Sequence, residues 1–216
     1  MSKKLSVDFV SDVACPWCAV GLASFEQALK DLGDGVNVEL SFQPFELNPT
    51  MAPEGADAAE YLIAKYGMSR EQLAQNRQRI VARGAEVGFV FGERKHVWNT
   101  FDAHRMLYWA GVEGPKGGQH ALKAALLKAY HGEGRNPAAH DVLLELCIAA
   151  GLDAQRARAV LAGREFSDEV RAAEQFWQEA GINSVPAVVI NRRHLVSGGQ
   201  PPAVFAQVLR KIAAEG

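Results

Sequence analysis

The sequence predicts an α/β fold whose small sheet is interrupted, between its second and third strands, by a large all-helical insertion. Three observations predict it. Residues 5–43 read as strand, helix, strand; residues 56–181 carry one helix signature after another; residues 187–212 read as a hairpin followed by a helix.

Leu5, Val7 and Phe9 alternate with Ser6 and Asp8, and Val10 and Val13 follow, which makes residues 5–13 the first strand. This strand runs into Cys15-Pro16-Trp17-Cys18. Beyond the two cysteines, Val20, Leu22, Phe25, Ala28, Leu29 and Leu32 mark one helical face, which Gly33 and Gly35 end. Val36, Val38, Leu40 and Phe42 alternate with Asn37, Glu39, Ser41 and Gln43 in a second strand. Asn48-Pro49 and Pro53-Glu54-Gly55 then break the pattern into a loop.

From Ala56 to Gly181 the short Phe89-Val90-Phe91 run is the one strand-like stretch. Ser69 and Gln72 form a capping box that opens a helix running to about Ala82. Asn99 or Thr100 caps a segment through Phe101, His104, Met106, Leu107 and Trp109, and a further helix covers residues 121–130. Asn136-Pro137 reads as a cap with a proline at the first helical position, opening a helix that ends at Gly151. Asp153 and Ser167 offer two more caps. Strands resume with Ala187, Val188, Val189 and Ile190, and Asn191-Arg192-Arg193 turns the chain into His194-Leu195-Val196-Ser197. Pro201-Pro202 starts a last helix with Val204, Phe205, Val208, Leu209 and Ile212 inward. The expected division is therefore a discontinuous domain of residues 1–55 and 182–216, with residues 56–181 inserted into it.

Composition narrows the function classes. At 216 residues the chain is one large domain or a small one with a sizeable insertion, and 48% hydrophobic and 22% charged residues are ordinary for a soluble globular protein. A net charge of −2 gives no reason to expect nucleic acid or an anionic membrane as partner. Asp8 interrupts the apolar run a signal peptide would need, and no stretch approaches the roughly 18 apolar residues of a membrane span. With three cysteines and no export signal, the expected compartment is a reducing cytoplasm, where a dithiol is more often catalytic than structural.

A strand that delivers two cysteines to the first turn of a helix is the arrangement of thioredoxin-like redox proteins. Unpaired N–H groups and the positive end of the helix dipole favour an anion there, so a thiolate at Cys15 should form below the free value of roughly 8.5. Pro16 suits the first helical position, which has no hydrogen bond to lose. Cys18, three residues on, can attack a mixed disulfide formed on Cys15. A zinc site would need a second ligand pair. Cys147 stands alone in an apolar run and reads as a buried small hydrophobe, and His96, His104, His120, His131, His140 and His194 are scattered. No metal is expected. Asp12 complicates the picture, because a carboxylate near Cys15 opposes the dipole and raises the thiol pKa.

Val185-Pro186 precedes the third strand. A trans proline there would merely open the strand, but in this position thioredoxin-like proteins hold a cis-proline facing the cysteine pair. A cis bond would turn Val185 N–H and C=O towards an extended peptide or glutathione. Trp17 either covers one side of Cys15 and offers substrate an apolar surface, or packs on the insertion.

Asp12-x-x-Cys15-Pro16-Trp17-Cys18-x-x-Gly21, Phe45-Glu46-Leu47-Asn48-Pro49, Asn99-Thr100-x-x-Ala103-His104-Arg105, Val185-Pro186 and Ser197-Gly198-Gly199-Gln200-Pro201 together resemble the DsbA family, and its cytoplasmic FrnE-like branch in particular. The resemblance implies a thioredoxin-like fold with a helical insertion covering the cleft, a thiol–disulfide oxidoreductase, Cys15 as nucleophile, Cys18 as resolving thiol and Pro186 as cis-proline. One departure is local. Where the family usually reads Gly-Val-x-Gly-Val-Pro, this chain has Gly181-Ile182-Asn183-Ser184-Val185-Pro186, and the missing second glycine narrows the approach to the cysteines.

The expected partners are protein or small-molecule thiols and disulfides, with no tightly bound cofactor and glutathione as a candidate co-substrate. The same scaffold resembles kappa-class glutathione transferases and hydroxychromene-carboxylate isomerases, which activate glutathione's own thiol with a hydroxyl near the helix start and need no cysteine pair. A holdase presenting an apolar cleft is a third reading. Potentials of redox proteins of this fold range from about −270 to −120 mV, which leaves the direction of electron flow open.

Overall fold

The computed structural model describes residues 4–215; residues 1–3 and 216, the ends of the expected division, lie outside the described residues. The chain opens with β1 (Lys4–Ser11), α1 (Pro16–Leu32) and β2 (Asn37–Pro44). Next come β3 (Ala56–Asp57), α2 (Ala58–Tyr66), α3 (Arg70–Glu86), β4 (His96–Val97) and α4 (Phe101–Val112). The rest comprises α5 (Gly118–Leu127), α6 (His140–Ala149), α7 (Ala154–Ala162), α8 (Ser167–Glu179), β5 (Ala187–Ile190), β6 (His194–Ser197) and α9 (Pro202–Glu215).

Four strands form one sheet in the order β2-β1-β5-β6, with β1 and β2 parallel and the other neighbours antiparallel. This is the thioredoxin-like arrangement, with α2–α8 between its second and third strands. Leu5, Val7 and Phe9 of β1 face α1 and α9, where Phe25 meets Phe9 and Phe205 edge-on at 6.4 and 5.4 Å. Val10 points to the opposite face and packs with Val189 and with Trp177 of α8. Asn191 and Arg192 both have positive φ, 52° and 53°, the left-handed pair that a tight hairpin between right-twisted strands requires.

The helices carry a second core of their own, built on Met106, Trp109, Leu122, Leu126, Leu143 and Val160. Gln119 joins it to the sheet. Its Oε1 accepts the Phe42 N–H at 3.0 Å and its Nε2 donates to the Phe42 C=O at 3.0 Å, so a side-chain amide stands where another strand would pair with the edge of β2. No helix among the described residues is long and apolar enough to cross a membrane.

Several boundaries differ from expectation. The insertion is not wholly helical, because β3 and β4 form a two-residue antiparallel ladder, and α2, capped by the Asp57 carboxylate that accepts the Ala59 and Glu60 N–H groups at 2.9 and 3.0 Å, is not among the helices expected above. Residues 89–91 form no strand: Phe89 and Phe91 turn inward and pack on each other at 4.7 Å. The helix expected at Asn136-Pro137 starts at His140, because Asn136 closes a turn by accepting the Ala138 N–H at 2.8 Å. Ser167 lies inside α8 and not at its cap. That place belongs to Phe166, at φ 63°, whose ring packs on Tyr108. The Ser69–Gln72 capping box and the Asp153 cap form as expected.

Arg105 is buried on α4 and donates to Val160 C=O at 2.6 Å, Gly163 C=O at 2.8 Å, Glu165 C=O at 3.0 Å and Asp102 Oδ1 at 2.7 Å. Three of those acceptors are backbone carbonyls at the end of α7 with no other helix to satisfy them. Arg105→Met strands them, and chemical denaturation should show a loss of about 3 kcal/mol or more.

Candidate active site

Cys15 is the N-cap of α1, with extended backbone (φ −87°, ψ 114°), and Pro16 is the first helical residue. Proline fits because that position would leave its N–H unpaired. Cys15 is 4% exposed and Cys18 fully buried, and both are free thiols. The two sulfurs are pushed in opposite directions. A hydrogen bond from the Cys18 thiol holds the Cys15 thiol below its ordinary value against the cost of burial, helped by the N–H groups of Cys18 and Trp17 and opposed by the Asp12 charge. Burial pushes Cys18 well above the ordinary thiol range, and the neighbouring Cys15 adds to that. The arrangement suits one reactive, anion-prone sulfur and one that keeps its proton.

Facing Cys15 is the loop before β5. The Val185–Pro186 bond is cis, and the Cys15 thiol donates to the Val185 C=O at 3.5 Å. Gly198 N–H donates to the Pro186 C=O at 2.8 Å, which ties the end of β6 to the same wall. Gly21, on the second turn of α1, sits against the proline ring: a Cβ there would lie 2.9 Å from Pro186 Cγ. A Cβ on Gly199 would lie 3.1 Å from the Trp17 C=O. Two glycines thus allow α1, Pro186 and the β6 end to close on one another. Trp17 remains 36% exposed beside the cysteines.

The turn between β1 and α1 is held from behind. Asp12 is fully buried; its Oδ1 accepts the Ala14 N–H at 3.0 Å and the Thr100 hydroxyl at 2.8 Å and lies 3.3 Å from His104 Nε2, while its Oδ2 accepts the Leu47 N–H at 2.7 Å. Burial pushes this carboxyl up, but His104 and the two backbone N–H groups outweigh it and leave the carboxylate below its usual range. The next two carbonyls are also taken. His131 Nε2 donates to Val13 C=O at 2.8 Å, and Arg94 donates to Ala14 C=O at 3.0 Å with its guanidinium over the Tyr130 ring. Burial and the Arg94 charge lower His131 to about 3, so it holds this bond as a neutral imidazole. Beside Leu47, Arg171 bridges the buried carboxylates of Glu46 and Glu174 and lies over the Phe101 ring at 3.9 Å.

Asp12, Cys15, Pro16, Trp17, Cys18, Val185 and Pro186 therefore meet in one place, although 170 residues separate Cys15 from Val185. Cys147 lies in the helical core and is pushed up to about 12 by burial. Among the scattered histidines, His104 and His131 converge on the turn; the other four do not. Arg94 and His131 are supports that sequence reasoning missed, while Thr100 and His104 stand in the Asn99-Thr100-x-x-Ala103-His104-Arg105 motif without a place in the expected site. Their spacing of four residues, from the cap position of α4 into its first turn, brings both to one side of it. Among the described residues no group of three or more His, Cys, Asp or Glu side chains could hold a metal ion.

His131 makes the turn acid-sensitive. Its folded pKa of about 3 lies below the unfolded value near 6.5, so between them the unfolded chain binds the extra proton. Stability should fall by about 1.4 kcal/mol per pH unit as pH drops below about 6. His131→Gln retains an N–H donor for Val13 without that proton, and urea melts at pH 4–7 should show its stability falling less steeply.

Comparison with known proteins agrees with this geometry. Residues 6–210 match the family of DSBA-like thioredoxin domains. A probable DsbA oxidoreductase from Streptomyces coelicolor is 38% identical in a superposition covering 98% of this chain and 91% of that one, with a TM-score of 0.89. The uncharacterised protein YwbO of Bacillus subtilis is 30% identical over 202 residues, 92% of each chain. The fold is also that of the cytosolic disulfide reductase DsbM of Pseudomonas aeruginosa, solved with glutathione, at 18% identity, a TM-score of 0.64 and coverage of 97% and 99%. With its sheet order, its helices between β2 and β5 and a match over nearly its whole length, the chain belongs to the DSBA-like thioredoxin domain family.

Proposed function

We propose that the protein is a thiol–disulfide oxidoreductase that works through a Cys15–Cys18 redox pair. The observation that carries this reading is the opposite displacement of the two thiols, Cys15 down and Cys18 up, at the start of one helix. In the reducing direction the Cys15 thiolate attacks a substrate disulfide and expels one substrate thiolate, leaving a mixed disulfide. Cys18 then attacks Cys15, and the second substrate thiolate leaves as the Cys15–Cys18 disulfide forms. The oxidising direction is the reverse. The low thiol pKa at Cys15 makes it both the better nucleophile near neutral pH and the better leaving group.

Val185 and Pro186 form the wall against which an extended substrate lies, and Trp17 is the exposed apolar surface beside it. Residues 1–55 and 182–216 form the redox domain, while residues 56–181 hold its active turn in place. Substrates are protein or small-molecule thiols and disulfides, with glutathione as co-substrate; a relative of the same fold was solved with glutathione. The low cysteine content and a cytosolic relative support a cytoplasmic location.

Wild-type protein should reduce a protein disulfide with glutathione as electron source, and Cys15→Ser should lose this activity. Cys18→Ser should accumulate the Cys15 mixed disulfide, visible as a mass increase that reductant removes. Glutathione-dependent turnover of an aromatic substrate that survives Cys15→Ser/Cys18→Ser would instead assign the protein to the isomerase reading. Asp12→Asn removes the negative charge that opposes the thiolate. Titration of thiolate absorbance should show a lower Cys15 pKa than in wild type, and unfolding should show a stability loss of about 2 kcal/mol from the poorer partner offered to Leu47 N–H.

A further inference from the structure

Lys123, on α5, is a buried ionisable group that the proposed chemistry leaves unused. Its side chain is fully buried and its Nζ has no hydrogen-bond partner. Leu127, one turn further along the same face, packs in the cluster that contains Cys15, Cys18 and Leu22, so this face of α5 is turned to the start of α1. On its other side Lys123 lines a crevice with Phe42, Leu107, Tyr108 and His104. Methionine would fill such a space with no amine to desolvate, so packing alone gives no reason for a lysine. An ammonium with neither water nor a paired carboxylate is disfavoured, and burial pushes Lys123 below its ordinary pKa, opposed first by the charge of Cys18.

Cys18 has the complementary need. Its thiol is completely buried, yet it must lose a proton to attack the mixed disulfide. Resting on the oxidoreductase reading, we propose that Lys123 receives the Cys18 proton when Cys18 attacks the mixed disulfide, and returns it when the pair is reduced again. At rest the Cys18 thiol donates to Cys15 and the Lys123 amine is unpartnered; in the attack, with the Cys15 sulfur taken by substrate, the Cys18 S–H turns to the Lys123 amine, the S–H bond breaks and its proton passes to that amine. The freed electron pair forms the Cys18–Cys15 bond, and the Cys15–substrate S–S bond breaks with its pair leaving on the substrate thiolate. The dithiol is oxidised by two electrons and the substrate disulfide is reduced by the same two.

The other titratable groups around this pair are Cys15, Asp12 before α1, His104 and Tyr108 on α4, His131 after α5, and the Glu26–His120 pair at the solvent edge between α1 and α5. All of them remain in Lys123→Met, so a difference between its pH profile and that of wild type isolates the amine. Reduced full-length protein is mixed with oxidised glutathione, quenched with acid at intervals, and weighed intact by mass spectrometry between pH 6 and 9. In Lys123→Met the glutathione adduct should form within about twofold of the wild-type rate. Its decay should be about tenfold slower at pH 7 and should rise about tenfold per pH unit, because only solvent then takes the proton. Wild type should show a flatter profile. Lys123→Arg, which keeps its proton throughout, should behave like Lys123→Met. Near-ultraviolet circular dichroism of both variants confirms the fold. Wild-type decay in either variant, or slowing by one constant factor at every pH, overturns the assignment. If no adduct forms in any of the proteins, Cys18→Ser included, the oxidoreductase reading itself fails and the role of Lys123 with it.

Discussion

The buried carboxylate of Asp12 is the constraint on which the rest of the site depends. The turn between β1 and α1 has to present Cys15 at the helix start while its own polar backbone lies out of reach of water. Asp12 takes the Ala14 N–H and the Leu47 N–H and is held by Thr100 and His104. An ionised group in such a place is tolerated only when nearly every lone pair is satisfied, and here four partners from three parts of the chain do so. The same charge works against the Cys15 thiolate. The turn thus combines a carboxylate that disfavours the Cys15 thiolate with a fixed geometry, and the hydrogen bonds to Cys15 decide the outcome in favour of a lowered pKa.

Seen from this turn, the helices between β2 and β5 are a support. Arg94 and His131 take the two carbonyls that follow Asp12, Thr100 and His104 hold Asp12 itself, and Gln119 closes the edge of β2. Each is a polar side chain from the stretch between β2 and β5, whose helices build a second core that Val13 and Ala14 of the turn join. Polar contacts therefore join this stretch to the sheet at the turn that carries Cys15. Burial turns His131 into a permanent neutral donor, and the same burial is why acid should loosen the turn before it reaches most surface groups.

The contrast between the two cysteines has a simple origin. Both lie in the first turn of α1, but Cys15 is the cap and looks across at Val185, while Cys18 points back into the core between α1 and α5. Hydrogen-bond donors converge on the first sulfur; apolar side chains surround the second. Spacing alone makes the pair possible, and the difference in surroundings shifts the two thiols in opposite directions.

The sequence by itself determined the order of the four main-sheet strands and of α1 and α3–α9, the length of those strands to within a few residues, and the helix start at Cys15-Pro16. These are local matters: alternation, helical period, proline at the first helical position and glycine at the end are set by neighbours in the chain. It also named Cys15, Pro16, Trp17, Cys18, Val185 and Pro186 as one site, because a strand–helix motif and a proline before a strand are readable one residue at a time. What only the tertiary structure decided is which side chains support that site. Arg94 and His131 lie on segments whose local pattern is that of ordinary loops and amphipathic helices, and a polar residue there is expected to face water. Each is instead buried or half-buried towards a turn some 80 to 118 residues away in the chain, a placement that follows from how the helices pack on the sheet and that no local spacing encodes.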